Sequence, residues 1–158
     1  MTADASFDPL AILRVLHEHD VPAVVIGGFA VAAHKVVRAT RDLDIVTDRS
    51  WNAAARLAKA LRALEATPAS DPSVPWSPEA LARPLNLRIS TRYGELHLLN
   101  ATGDIPAYSQ LERVTIHVDR LPVEVASLAA LRLMKRAAGR PKDLLDLAEL
   151  EAIHGPDE

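Results

Sequence analysis

A run of four apolar residues, Ala23-Val24-Val25-Ile26, stops at two adjacent glycines, Gly27 and Gly28, and this stop constrains the fold more than any other feature of the chain. The run is too short and too uniformly apolar for a surface helix, so it reads as a buried strand. The glycine pair then supplies a tight turn where no side chain fits, and the alanine-rich stretch to about Val36 favours a short helix. A second apolar strand follows at 42–46, carrying Asp42 and Asp44 between Leu43, Ile45 and Val46. Side chains at i and i+2 of a strand share a face, so the two carboxylates stand side by side. They repel each other unless something positive lies between them.

Three explanations for the acid pair stand together. A solvent-facing pair on an edge strand is the plainest. Arg38 and Arg41 offer a simple salt bridge. A divalent cation is the third, and oxygen ligands suit magnesium, which takes one or two protein carboxylates plus substrate phosphates. The glycine turn upstream offers backbone N–H groups and a helix start, which suit phosphate, although a glycine pair alone is a weak signal. Metal together with phosphate points to nucleotide chemistry.

Bulk properties narrow the setting. The length of 158 residues suits one domain, 1–158, with its core at about 8–153. Apolar residues at 49% exclude a disordered chain, and aromatics at only 4% leave the core to Leu, Val, Ile and Ala. The absence of cysteine excludes disulfides and thiolate metal sites and fits a cytoplasmic protein. No leader segment or membrane span is expected. A formal net charge of −3 argues against a broad electrostatic grip on nucleic acid. Residues 132–142 nevertheless hold Arg132, Lys135, Arg136, Arg140 and Lys142 with no acid, a local basic patch able to hold phosphate.

The remaining pattern alternates helices and strands. A first helix is expected over 7–19, capped by Ser6 or Asp8, and another from Asp48 or Ser50 to about Ala66. The proline-rich stretch 67–85 reads as a connector with at most a short helix near 79–82. Strands at 85–90 and 95–99 form a hairpin around 91–94, and strands at 114–118 and 122–125 form another around Asp119-Arg120. Ser127 caps a helix that ends at Gly139, and Pro141 opens the last helix, whose apolar residues are Leu144, Leu145, Leu147, Leu150 and Ile153. The fold class is mixed α/β, a small mixed sheet with helices packed on it. The six histidines show no zinc-type spacing, and no serine-hydrolase or P-loop pattern occurs.

The pattern Gly27-Gly28 … Arg38-x-Thr40-x-Asp42-x-Asp44 resembles the signature of the polymerase-β-like nucleotidyltransferase fold, nearest to its minimal bacterial and abortive-infection AbiEii-type members. The tail from Ser127 through Lys135, Arg140 and Asp143 to Asp146 is similar to the lysine-to-aspartate C-terminal motif of that group. The resemblance implies that Gly27 and Gly28 hold the triphosphate of an NTP, that Asp42 and Asp44 bind Mg2+, and that Lys135 and Arg140 contact phosphate. Thr40 would hydrogen-bond phosphate, and Arg38 would neutralise the acids or contact substrate. The bland alternatives are a β-favouring threonine and ordinary exposed helix charge. Asp143 and Asp146 lie at i and i+3 on one side of the last helix, where Asp143 also suits the helix dipole.

One departure stands out. Members of the family carry a third carboxylate on a later strand, where this chain reads Gly94-Glu95-Leu96-His97. Glu95 shares a strand face with His97, so either can act there as base or ligand, or both can simply face solvent. The resemblance implies a Mg2+-dependent transfer of NMP from an NTP to a hydroxyl of tRNA, protein or a small molecule such as an aminoglycoside. It also implies a toxin–antitoxin or defence setting, with a cognate toxin or antitoxin as partner. The departure at His97 supports the alternative, a nucleotide- or partner-binding module without catalysis.

Overall fold

A computed structural model describes residues 7–156 of the chain. Ser6 lies outside the described residues, and Asp8 is the cap of the first helix. Its carboxylate accepts from the Ala11 backbone N–H, and α1 (Pro9–Glu18) follows with a proline in its first turn. The apolar run is β1 (Ala23–Ile26), followed at once by α2 (Gly27–Ala33), which starts one residue earlier than expected and ends about three sooner. The aspartate strand is β2 (Asp42–Thr47). Ser50 caps α3 (Trp51–Ala63) by accepting from the Ala53 N–H.

The proline-rich stretch is less idle than its composition suggests. It contributes a two-residue strand, β3 (Thr67–Pro68), and a short helix, α4 (Pro78–Leu81), capped by Ser77. The Trp76 indole N–H donates to the Ala66 carbonyl at 2.8 Å, and α4 packs on α3, so the stretch is pinned down rather than loose. The hairpin β4 (Asn86–Thr91) and β5 (Gly94–Leu99) comes next, then a single 3-10 turn at Tyr108–Gln110. The second hairpin pairs β6 (Arg113–Val118) with β7 (Leu121–Ala126). Its two loop residues, Asp119 and Arg120, both have positive φ, 48° and 69°, the twist that a two-residue hairpin demands. Ser127 caps α5 (Leu128–Ala138), Gly139 stops it at φ 61°, and α6 (Pro141–His154) completes the described chain.

The seven strands form one mixed sheet in the order β3-β4-β5-β2-β1-β7-β6. The hairpins are antiparallel, β1 is antiparallel to β2, and β2–β5 and β1–β7 are parallel. Leu43, Ile45, Leu96 and Leu98 of the two central strands are buried in one continuous apolar cluster with Ile12 of α1 and Leu57 and Leu61 of α3. Each such side chain contributes about 1.5–3 kcal/mol by leaving water. No helix among the described residues is long and apolar enough to cross a membrane.

The last helix corrects the expected apolar face. Leu150 alone among its leucines is fully buried, packing with Val31 and Val36 in a small separate cluster. Leu144, Leu145 and Ile153 are exposed, as is Leu133 of α5. The inward positions belong instead to Asp143 and Asp146, which are almost wholly buried. A count of apolar residues shows that such a helix exists. It does not show which side faces in when charged partners on α5 can hold carboxylates inside.

Candidate functional site

The site begins with the close approach of two strands. Ile26 pairs with Asp44 across the β1–β2 ladder, so the chain leaving β1 turns directly over the Asp44 side chain. Gly27 makes that turn at φ +70°, a conformation side chains rarely adopt, and a Cβ there would run into the Asp44 carboxylate. The next glycine is crowded as well, because a Cβ on Gly28 would meet the Thr40 methyl at 3.0 Å and Arg38 Nε at 3.2 Å. Gly27→Ala is therefore expected to lower stability by about 1–3 kcal/mol through backbone strain alone and to push Asp44 out of place. Thermal melts and metal titration of the variant check both effects.

The parallel β2–β5 register supplies the rest of the floor. Asp42 stands beside Glu95 and Asp44 beside His97. His97 Nδ1 lies 3.2 Å from Asp44 Oδ1, and His97 Nε2 lies 2.9 Å from Glu95 Oε1. One ligand atom from each of Asp42, Asp44 and His97 falls within 4.8 Å of the others. Asp44 Oδ1 is buried without a hydrogen bond, since the imidazole contact is close but not aligned as one. Burial pushes the Asp44 carboxyl up to about 6, the neighbouring Asp42 charge adds to the rise, and His97 and Lys135 oppose it. A buried, unpartnered carboxylate oxygen facing a second carboxylate and a ring nitrogen fits a divalent cation. The acid pair is thus half-buried and held by glycine on one side and histidine on the other, not solvated on an edge strand.

Helices α5 and α6 form the facing wall. Lys135 is buried, with its ammonium 2.9 Å from Asp146 Oδ2 and 3.4 Å from Asp143 Oδ1. Arg38, reaching over from the segment before β2, pairs with Asp146 Oδ1. Arg140 Nε donates to Asp143 Oδ2 at 2.7 Å, and the same oxygen accepts from the Arg140 backbone N–H at 3.1 Å. Burial alone would raise the Asp143 carboxyl, but the hydrogen bonds from Arg140 and the Lys135 charge outweigh it and hold the group below the usual carboxylate range. Three cations meet two carboxylates here, which leaves a positive surplus beside the acid pair. Sequence placed Lys135 and Arg140 in a local basic patch, with ordinary exposed helix charge as the bland alternative. Arg140 is indeed exposed, whereas Lys135 sits inside because two aspartates compensate its burial.

A cleft of about 640 Å³ opens between floor and wall. Gly27, Gly28, Arg38, Thr40, Asp42, Asp44, Lys135 and Arg140 all line it, so eight of the ten residues singled out from sequence share one space. Glu95 and His97 do not line it, and they flank the acid pair from β5. The Arg38 guanidinium turns to Asp146 rather than to Asp42 or Asp44. Sequence reasoning missed Asp104 and Ile105, which the loop after β5 brings to the cleft, and no local pattern marks them. It also underweighted Arg41 and Lys142, basic neighbours of residues already chosen, which line the same cleft.

Comparison with known proteins follows the same outline. A family model described as aminoglycoside-2''-adenylyltransferase matches residues 9–74, the segment carrying the glycine turn and both aspartates. No curated protein sequence matches the chain. The solution structure of the antibiotic-resistance factor ANT(2'')-Ia is similar at a TM-score of 0.59 and 14% identity, covering 92% of this chain and 81% of that one. The crystal structure of ANT(2'')-Ia in complex with adenylyl-2''-tobramycin is similar at 0.58 and 14% identity, covering 90% and 84%. At this identity the likeness is one of fold, and the fold is nucleotidyltransferase-like.

Proposed function

We propose that the chain is a metal-dependent nucleotidyltransferase that moves NMP from an NTP to a hydroxyl acceptor. One observation carries this reading. A glycine turn too tight for any side chain, a half-buried carboxylate pair with one buried and unpartnered oxygen, and a cationic wall all open on a single cleft. In the reaction an acceptor oxygen attacks the α-phosphorus, the bond to the bridging oxygen of pyrophosphate breaks, and the acceptor proton is taken up by the protein. Glu95, beside the acid pair and in contact with His97, is the group that can receive it. The backbone at Gly27 and Gly28 can approach the triphosphate closely because nothing projects from it. Arg38, Lys135 and Arg140 supply positive charge for the leaving pyrophosphate. A divalent cation held by Asp42 and Asp44 would supply positive charge against that developing on the phosphate.

The partial family match and the adenylylated tobramycin bound to the structural relative support a small hydroxylated acceptor over tRNA or protein. A toxin–antitoxin or defence role, with a cognate partner, rests on the resemblance to AbiEii-type proteins alone. The second reading, nucleotide binding without transfer, is favoured by His97 standing where a third carboxylate is usual. Labelled NTPs incubated with the protein, Mg2+ or Mn2+, and aminoglycosides, tRNA or cell extract decide between them. Transfer of label with release of pyrophosphate is the expected result. NTP binding with no transfer to any acceptor supports the second reading, and absence of NTP binding overturns both.

A further inference from the structure

The Glu95–His97–Asp44 chain of contacts says more about the cation than that one can bind. A neutral imidazole has one N–H and one lone pair, and its neighbours decide which nitrogen carries which. His97 Nε2 lies 2.9 Å from Glu95 Oε1, and an ionised carboxylate can only accept, so Nε2 carries the hydrogen. Nδ1 is left with its lone pair, and it faces Asp44 Oδ1 at 3.2 Å. That oxygen has no hydrogen bond, and Asp42 offers a further carboxylate oxygen in the same small space. With the imidazole neutral, lone pairs from a nitrogen and two carboxylates meet in one small space, an arrangement that either a proton or a metal ion relieves. A ring N–H given to a carboxylate is also how metal-binding histidines are oriented.

We propose that Asp42, Asp44 and His97 together form a site for a divalent transition ion of the manganese type in preference to magnesium, with His97 Nδ1 as the third protein ligand and Glu95 orienting the ring. The inference rests on the acid pair being the metal site of the proposed function. Magnesium demands hard oxygen ligands, which a third carboxylate would supply and an imidazole does not. Imidazole nitrogen shifts preference toward first-row transition ions. The two carboxylates keep the protein donor set mostly oxygen, a mixture that suits manganese better than the softer ions. The exchange of a carboxylate for His97 is then a change of metal rather than a loss of the site.

Mn2+ alone, without nucleotide, titrated into the full chain tests this by electron paramagnetic resonance. Bound Mn2+ is expected to show nitrogen coupling from a coordinated imidazole, lost in His97→Asp. Competition with Mg2+ is expected to show a Mn2+ preference that falls by about tenfold or more in His97→Asp, as an oxygen replaces the nitrogen. Bound Mn2+ without nitrogen coupling, or an unchanged Mn2+ to Mg2+ ratio in His97→Asp, overturns the role of His97 alone. Mn2+ retained after Asp42→Asn with Asp44→Asn, or no Mn2+ bound at millimolar concentration, overturns the site as a whole. Nitrogen coupling in a protein that transfers nothing would sink the transferase reading and leave the metal site standing.

Discussion

Asp44→Asn is expected to lower nucleotidyl transfer by about a thousandfold or more and, in the same protein without metal, to raise thermal stability. The first effect follows from removing a carboxylate that holds the cation. Stabilising transferred charge contributes several kcal/mol, and each factor of ten corresponds to about 1.4 kcal/mol. Asp42→Asn should lose activity to a similar degree. The second effect comes from the carboxyl held near 6. A folded-state value above the unfolded one means that ionising Asp44 costs the folded protein free energy. That cost is absent below about pH 4, grows as pH rises, and is complete above about 6, where a shift of about two units corresponds to roughly 3 kcal/mol. An asparagine does not ionise, so the variant escapes it. For a chain of this size that corresponds to a melting temperature roughly 6–12 °C higher at pH 7.5, with the gap closing toward pH 4. Melts across pH and a label-transfer assay check the pair. A variant that keeps a tenth of its activity refutes the metal assignment, and one less stable at pH 7.5 refutes the burial argument.

Lys135→Met should act in the opposite direction on stability. The side chain is close to the right volume and apolar, but it leaves Asp143 and Asp146 buried without the ammonium between them. Removing one partner of a buried charge cluster typically costs 3–5 kcal/mol. Arg38 and Arg140 still hold one carboxylate each, so about 3 kcal/mol is the expected loss. NTP affinity should fall as well, because the cationic wall of the cleft loses a charge. Lys135→Arg, which keeps the charge but not the compact ammonium, should recover part of both. A Lys135→Met protein melting within a degree of the unsubstituted chain would show that the aspartates do not depend on it.

Features of short range were legible from the residues alone. The glycine stop at Gly27, the two-residue period that pairs Asp42 with Asp44, and the caps at Ser50 and Ser127 each depend on a few neighbours along the chain. Eight of the residues that line the cleft were named from these features together with the family resemblance of the glycine–aspartate segment and the tail. What could not be read was how distant segments meet. The parallel register that sets His97 against Asp44 depends on a crossover of some fifty residues, and the Arg38–Asp146 pair spans 108 positions. Both depend on where helices settle, which local propensity does not encode. The same limit hid the burial of Lys135, whose surroundings come from another helix.

Helix α6 carries Leu144 and Leu145 outside and Asp143 and Asp146 inside, and this gives the cleft two sides held by different forces. The floor, built on Leu43, Ile45 and Leu96, is held by water exclusion, and acid relieves it of the cost of ionising Asp44. The α6 wall is held by ion pairs and by Leu150, which packs with Val31, Val36 and Leu128. Because Asp143 is kept below the usual carboxylate range, its contribution is present at neutral pH and is lost as the medium becomes acid enough to protonate it. Only acid strong enough to protonate a carboxyl held below the usual range therefore weakens the α6 side of the cleft, and buried as these pairs are, salt screens them little. The two sides of the cleft are thus expected to respond to acid in opposite directions, the floor relieved and the α6 wall weakened.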